Sequence, residues 1–180
     1  MIIIGLAGHP SSGKDTAADY IASRGFFHIS LGDLLREEMT KQGLAIDRPS
    51  VRTFAREERA KRGAFYPVDI AVTRLQEKTV MSGFRNTAEV LYIKERFPRE
   101  FKLIALSAPI EARYKRALSR NRIGDDISFL EFKAQEEAEK NHNPETHEVD
   151  NVLAMADITI ENSEGLDEFI QKIDKLLASF

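Results

Sequence analysis

A chain of 180 residues suffices for one compact domain with a sizeable core and is too short for two full ones. Its 42% hydrophobic and 31% charged content excludes a disordered chain, and the absence of cysteine excludes disulfides and thiolate chemistry. A net charge of −3 argues against bulk nucleic-acid binding.

The first element is an apolar, β-branched run, Met1–Leu6, which reads as a buried strand. It is too short for a secretory signal or a membrane span, so a cytoplasmic protein with no membrane partner is expected. A glycine-rich loop follows, and then a helix to about Arg24. Phe27–Ser30 reads as a second strand, and Leu31–Gln42, Ser50–Gly63 and Pro67–Lys78 read as helices. Thr79–Ser82 predicts a strand, Asn86–Phe97 a helix and Phe101–Ser107 a strong strand. Pro109 opens another helix, as proline can in a first turn. Ser128 to about Lys140 is helical in pattern, Asn141–Glu148 is a polar loop, and Asp157–Ile160 is a last short strand. Leu166, Phe169, Ile170, Ile173, Leu176, Leu177 and Phe180 then keep helical spacing. Strands alternating with helices predict an α/β fold, a parallel sheet with helices on both faces.

Gly8-His-Pro-Ser-Ser-Gly-Lys14 fits the phosphate-loop core G-x-x-x-x-G-K in the context that motif requires, after a strand and opening a helix. Bare backbone at Gly8 and Gly13 lets amides point inward at phosphate, the helix N-terminus adds partial positive charge, and Lys14 can reach the outer phosphates. The nucleotide-binding set is therefore Gly8, Ser11, Ser12, Gly13, Lys14, Asp15 and Thr16. Asp15 occupies a position usually held by a hydroxyl residue. A carboxylate is locally favourable in a first helical turn but repels phosphate, so magnesium must be held by the nucleotide, by water and by carboxylates elsewhere.

Charge is unevenly spread. Arg48, Arg52, Arg56, Arg59, Lys61 and Arg62 crowd one helix, five basic residues lie between Glu111 and Arg122, and residues 123–180 are strongly acidic. Such patches suit a small anionic ligand, and two solvated helix faces would look the same. His142 and His147 could be metal ligands but have no second cluster to join.

The chain resembles the nucleoside-monophosphate-kinase superfamily, which includes adenylate kinases, dephospho-CoA kinases and adenylate-kinase-related proteins. Gly13-Lys-Asp-Thr16 resembles the loop of some deoxynucleoside-monophosphate kinases. His28-Ile-Ser-Leu-Gly-Asp-Leu-Leu-Arg36 is similar to the adenylate-kinase stretch I-S-T-G-D-x-L-R. That resemblance gives Asp33 the magnesium water shell and Arg36 the acceptor phosphate, although a plain (i, i+3) ion pair is the other reading. Val80-Met-Ser-Gly-Phe-Arg85 resembles the D-G-F-P-R turn, which makes Arg85 a second clamp and puts Ser82 where an aspartate is usual. Phe101–Arg122 resembles the strand, helix and lid of these kinases. It implies that Arg120 and Arg122, and less directly Arg116, close over the transferring phosphoryl group. Asp157–Asn162 matches their last strand.

The resemblance implies a three-layer phosphate-loop NTPase fold, with a five-stranded sheet of order 2-3-1-4-5. Residues 1–180 would form one kinase domain, with a helical acceptor-binding insertion over about 35–78 and a short lid over about 120–127. Expected cofactors are ATP and Mg²⁺. Expected partners are small nucleotides and no nucleic acid, with the chain acting as monomer or homodimer. A dephospho-CoA-like alcohol acceptor, which would need Asp33 as a base, and a nucleotide-binding regulator without an acceptor are the alternatives.

Overall fold

The computed structural model describes residues 1–120, 127–140 and 148–180. A parallel sheet of order β2-β3-β1-β4-β5 lies at its centre, as expected. Its strands are β1 (Ile2–Ala7), β2 (Phe27–Ser30), β3 (Lys78–Ser82), β4 (Phe101–Ser107) and β5 (Ile158–Glu161). Side chains alternate along each strand. Ile4 and Leu6 of β1 join Val80, Ile104 and Leu106 under α1 (Lys14–Ser23) and α9 (Leu166–Leu177). Ile3 and Ala7 face the other way, under α2 (Leu31–Lys41), α4 (Tyr66–Val72), α5 (Thr87–Arg96) and α8 (Val149–Ala154).

A third cluster holds α3 (Arg48–Arg62) to this frame, with Phe54 and Ala55 packed on Leu35, Met39 and Tyr66. α3 starts where its sequence says it should, because Asp47 accepts from the Ser50 amide and Pro49 sits in the first turn. Beyond β4, α6 (Ile110–Arg120) and α7 (Phe129–Lys140) pack through Tyr114 and Phe132, with ring centroids 5.6 Å apart.

Two elements differ from the sequence reading. The helix expected over Pro67–Lys78 ends at Val72, since Thr73 turns its hydroxyl back onto the Ile70 carbonyl (2.8 Å). The chain then tightens, with the Gln76 amide bonding to Thr79 Oγ1 (2.9 Å), and Lys78 is claimed by the sheet opposite Ile2. α8 was not expected at all: six residues are too few to display a helical period.

Because the strands are parallel, their carboxyl ends share one edge, which receives the loop after β1, α2 after β2, the Gly83–Asn86 turn after β3 and Asn162 after β5. No helix among the described residues is long and apolar enough to cross a membrane.

Gly5 sits mid-strand because two aromatic rings cross its face. A Cβ there would stand 2.7 Å from the Phe101 ring and 3.0 Å from Phe84. Both rings are buried, so neither can swing into solvent. Gly5→Ala should therefore destabilise the fold by about 1–3 kcal/mol through overpacking. Urea unfolding measures this, and an unchanged midpoint would refute the packing argument.

Candidate active site

The loop between β1 and α1 is shaped by close backbone approach. A Cβ on Gly8 would meet Ser12 Oγ at 2.4 Å and the Leu106 carbonyl at 2.6 Å, so the loop lies directly on β4. Ser11 (φ 60°) and Gly13 (φ 104°) take left-handed conformations, which turn the chain into the first helical amides. Lys14 Nζ donates to the carbonyls of Gly8 (2.7 Å) and His9 (2.8 Å), holding its ammonium across the loop's mouth. Asp15 and Thr16 are exposed in the first turn of α1. The Ser12 hydroxyl is fully buried without a hydrogen-bond partner among the described residues.

Asn162 ties this loop to the far end of the sequence. Its Nδ2 donates to the Ser12 carbonyl (2.9 Å), and its own amide donates to Ser107. Arg116 Nη2 bonds both its backbone oxygen (2.8 Å) and its Oδ1 (3.1 Å). Arg116, grouped by the resemblance with the lid, thus acts inside the fold by holding Asn162, and Arg113 on the same helix is buried against Glu136 and bonded to the Ala108 carbonyl. The expected lid residues Arg122 and the rest of 121–126 lie outside the described residues, as do the Arg120 side chain, His142 and His147.

After β2, Ser30 caps α2 by accepting the Asp33 amide (3.2 Å). Asp33 and Arg36 form an ion pair at 2.5 Å with about half or more of each side chain exposed, so the (i, i+3) helix pair is formed. Arg85 follows the positive-φ Gly83 turn after β3. Its amide donates to Glu89 Oε2 (2.8 Å), and Glu89, wholly buried, also takes the Asn86 amide and Arg59 Nη2 (2.7 Å). Arg59 on α3 is therefore anchored beside Arg85. Ser82 is buried on the α1 side of β3, with its hydroxyl 2.9 Å from His28 Nε2.

Sequence reasoning passed over His9. From the loop, its Nε2 contacts Asp150 Oδ1 at 2.9 Å. Burial lowers its pKa below the ordinary imidazole value, helped by the Arg113 cation, while Glu136 and Asp150 pull in the opposite direction without prevailing. No local motif could have announced this pair, since the partners are far apart in sequence.

A lowered pKa means that the folded state resists protonating His9 more than the unfolded chain does. This part of the stability is complete above the ordinary imidazole value of about 6.5 and is lost as pH falls below it. An NMR titration should place the His9 midpoint below that value, and Asp150→Asn, which removes a carboxylate that raises it, should lower it further. A midpoint at or above the ordinary value would contradict the buried, neutral assignment.

Sequence and structure comparisons agree with this geometry. Residues 7–133 match the AAA domain family. A UPF0200 protein of Pyrobaculum aerophilum is 32% identical over 97% of this chain and 96% of its own length. A UPF0200/UPF0201 protein of Archaeoglobus fulgidus is 33% identical over 98% of this chain, which spans about half (55%) of that relative. Among solved structures, a shikimate kinase from Bacteroides thetaiotaomicron superposes with a TM-score of 0.62 at 15% identity, covering 98% of both chains. The fold is thus that of the phosphate-loop kinases, and the chain belongs to the AAA domain family and to the UPF0200 proteins.

Proposed function

We propose that this chain is a cytoplasmic kinase that transfers the γ-phosphoryl group of ATP to a small phosphorylated acceptor. The observation that carries this reading is the loop from Gly8 to Thr16. Its left-handed turns, close-packed glycines and Lys14 stand after β1 at the carboxyl edge of the sheet. Gly8, Ser11, Ser12, Gly13, Asp15 and Thr16 would surround the donor phosphates, chiefly through backbone amides. The insertion over about 35–78 would receive the acceptor, with Arg36 and Arg85 on its phosphate, a task that the planar guanidinium fork suits. Arg120 and Arg122 would neutralise charge on the transferring group from the lid.

The donor set fits a magnesium ion carried in with the nucleotide. Among the described residues no three His, Asp or Glu side chains converge on one point, so a protein cage is absent there. Magnesium commonly makes do with one or two carboxylates plus phosphates and waters, and Asp33 can serve through water. When bound, the ion would offset charge on the outer phosphates. A nucleoside or deoxynucleoside monophosphate is the acceptor that the resemblance favours. An alcohol acceptor is the second reading, supported by the likeness in fold to a shikimate kinase.

Lys14→Ala should abolish ATP binding or turnover while leaving the fold intact, because Lys14 Nζ bonds the Gly8 and His9 carbonyls across the loop's mouth. The check is ADP formation with ATP, magnesium and each of AMP, dAMP and dephospho-CoA, alongside nucleotide titration. Unchanged turnover in the mutant would remove the assignment, and ATP binding without any acceptor-dependent product would point to a regulator.

Arg36→Ala and Arg85→Ala should each weaken acceptor binding by about 1.5–3 kcal/mol and ATP binding much less. Equal losses for donor and acceptor in a kinetic titration would count against the clamp.

A further inference from the structure

We propose that Asp150 is the proton acceptor of the reaction, and that the nucleophile it serves is a hydroxyl group on a phosphorylated acceptor. This rests on the kinase reading above and narrows its acceptor from phosphate oxygen to alcohol.

Asp150 stands between the two halves of the site. On the donor side, its Oδ1 is 2.9 Å from His9 Nε2, and the carbonyl of that same His9 accepts from Lys14 Nζ. On the acceptor side, the first turn of α8 is pinned to the loop that bears Arg85. The Glu148 amide donates to the Arg85 carbonyl (2.8 Å), and Glu148 Oε2 takes both the amide (3.1 Å) and the hydroxyl (2.6 Å) of Thr87. The carboxylate two residues on is therefore fixed in relation to both Lys14 and Arg85.

The second oxygen, Oδ2, has no partner among the described residues, and the side chain is 55% exposed. His9 is only 19% exposed and is faced by Asp150, Glu136 and Arg113. Glu136 is already committed to Arg113, so a neutral His9 donates its Nε2 proton to Asp150 and orients it. His9 is a positioning residue. Asp33, the base suggested by sequence, has no described bond to the loop, whereas Asp150 is bonded to it through His9.

The chemistry selects the acceptor. A phosphate oxygen is already anionic, needs no base and is repelled by a neighbouring carboxylate. A hydroxyl must lose a proton as it attacks, and a fixed aspartate performs that task in protein kinases. Here the acceptor oxygen bonds to Pγ as the bond from Pγ to the β-phosphate oxygen breaks. ADP leaves with that electron pair, and the hydroxyl proton passes to Asp150 Oδ2 and then to water. Arg36 and Arg85 hold the acceptor's own phosphate away from the reacting centre.

The test compares ADP formation by the whole chain with AMP, glycerol 3-phosphate, dephospho-CoA and water as nucleophiles. Asp150→Asn preserves an oxygen for His9 and removes only the basic group. It should lower kcat with the alcohols and with water by about 10²–10⁴-fold, and flatten the acid limb of the pH profile. The KM for ATP should stay within about twofold, and Asp150→Glu should restore part of the loss. His9→Ala should lower kcat without raising KM, and His9→Gln, which retains a donor, should recover part of it. Wild-type turnover in Asp150→Asn, or a wild-type chain that phosphorylates AMP and is indifferent to Asp150→Asn, would overturn the proposal. No ADP from the wild type with any nucleophile, water included, would instead remove the kinase reading beneath it.

Discussion

The side chain of Asn162 reaches back across the sheet to the carbonyl of Ser12, and the shape of the phosphate loop depends on that bond. Asn162 is buried, its amide is spent on Ser107, and Arg116 occupies its remaining oxygens. It therefore has one arrangement available, and so does the loop. Gly13 records the same constraint twice. Its φ of 104° disfavours any side chain, and a Cβ there would come within 2.4 Å of Asn162 Nδ2. A strand that arrives last in the sequence thus completes a site that opens at residue 8.

Glu89 does for the turn after β3 what Asn162 does for the phosphate loop. A carboxylate with no exposure is costly unless its lone pairs are met, and here two backbone amides and the Arg59 guanidinium meet them. One of the amides belongs to Arg85 and the guanidinium to α3, so a single buried anion sets the turn after β3 and docks the helical arm against it. Truncating such a partner leaves the other charge buried and unpaired, which makes the junction stiff.

The strands were legible because short β-branched runs have few alternatives, and β2 and β4 fall on the boundaries their residues suggest. The phosphate loop was legible because its chemistry is written in consecutive residues. α8 was not, since six residues carry no period, and the end of α4 turned on one threonine hydroxyl and on Lys78 being needed opposite Ile2. The basic run on α6 could be read as an anion-binding patch or as a solvated face, yet Arg113 and Arg116 are consumed by Glu136 and Asn162. Charge periodicity reports a helical face and is silent about what covers it. Likewise His9 with Asp150, and Arg59 with Glu89, are pairs made by the fold, and neither partner announces the other along the chain.

These pairs sort the paired arginines by what they can release. Arg113 and Glu136 are both nearly unexposed, and Arg59 meets a wholly buried Glu89. Breaking either would strand a desolvated charge, so both belong to the frame. Arg36 and Asp33 sit in water, where an ion pair is typically worth about 0–1 kcal/mol and a better anion can displace the partner at little cost. A phosphate with two charges and three oxygens is such an anion for a guanidinium. Its arrival would turn Asp33 loose at the moment the outer phosphates and their magnesium need a carboxylate nearby. On the kinase reading proposed above, the weakness of that one surface pair would let a single residue couple serve first as a helix contact and then as two separate ligand groups.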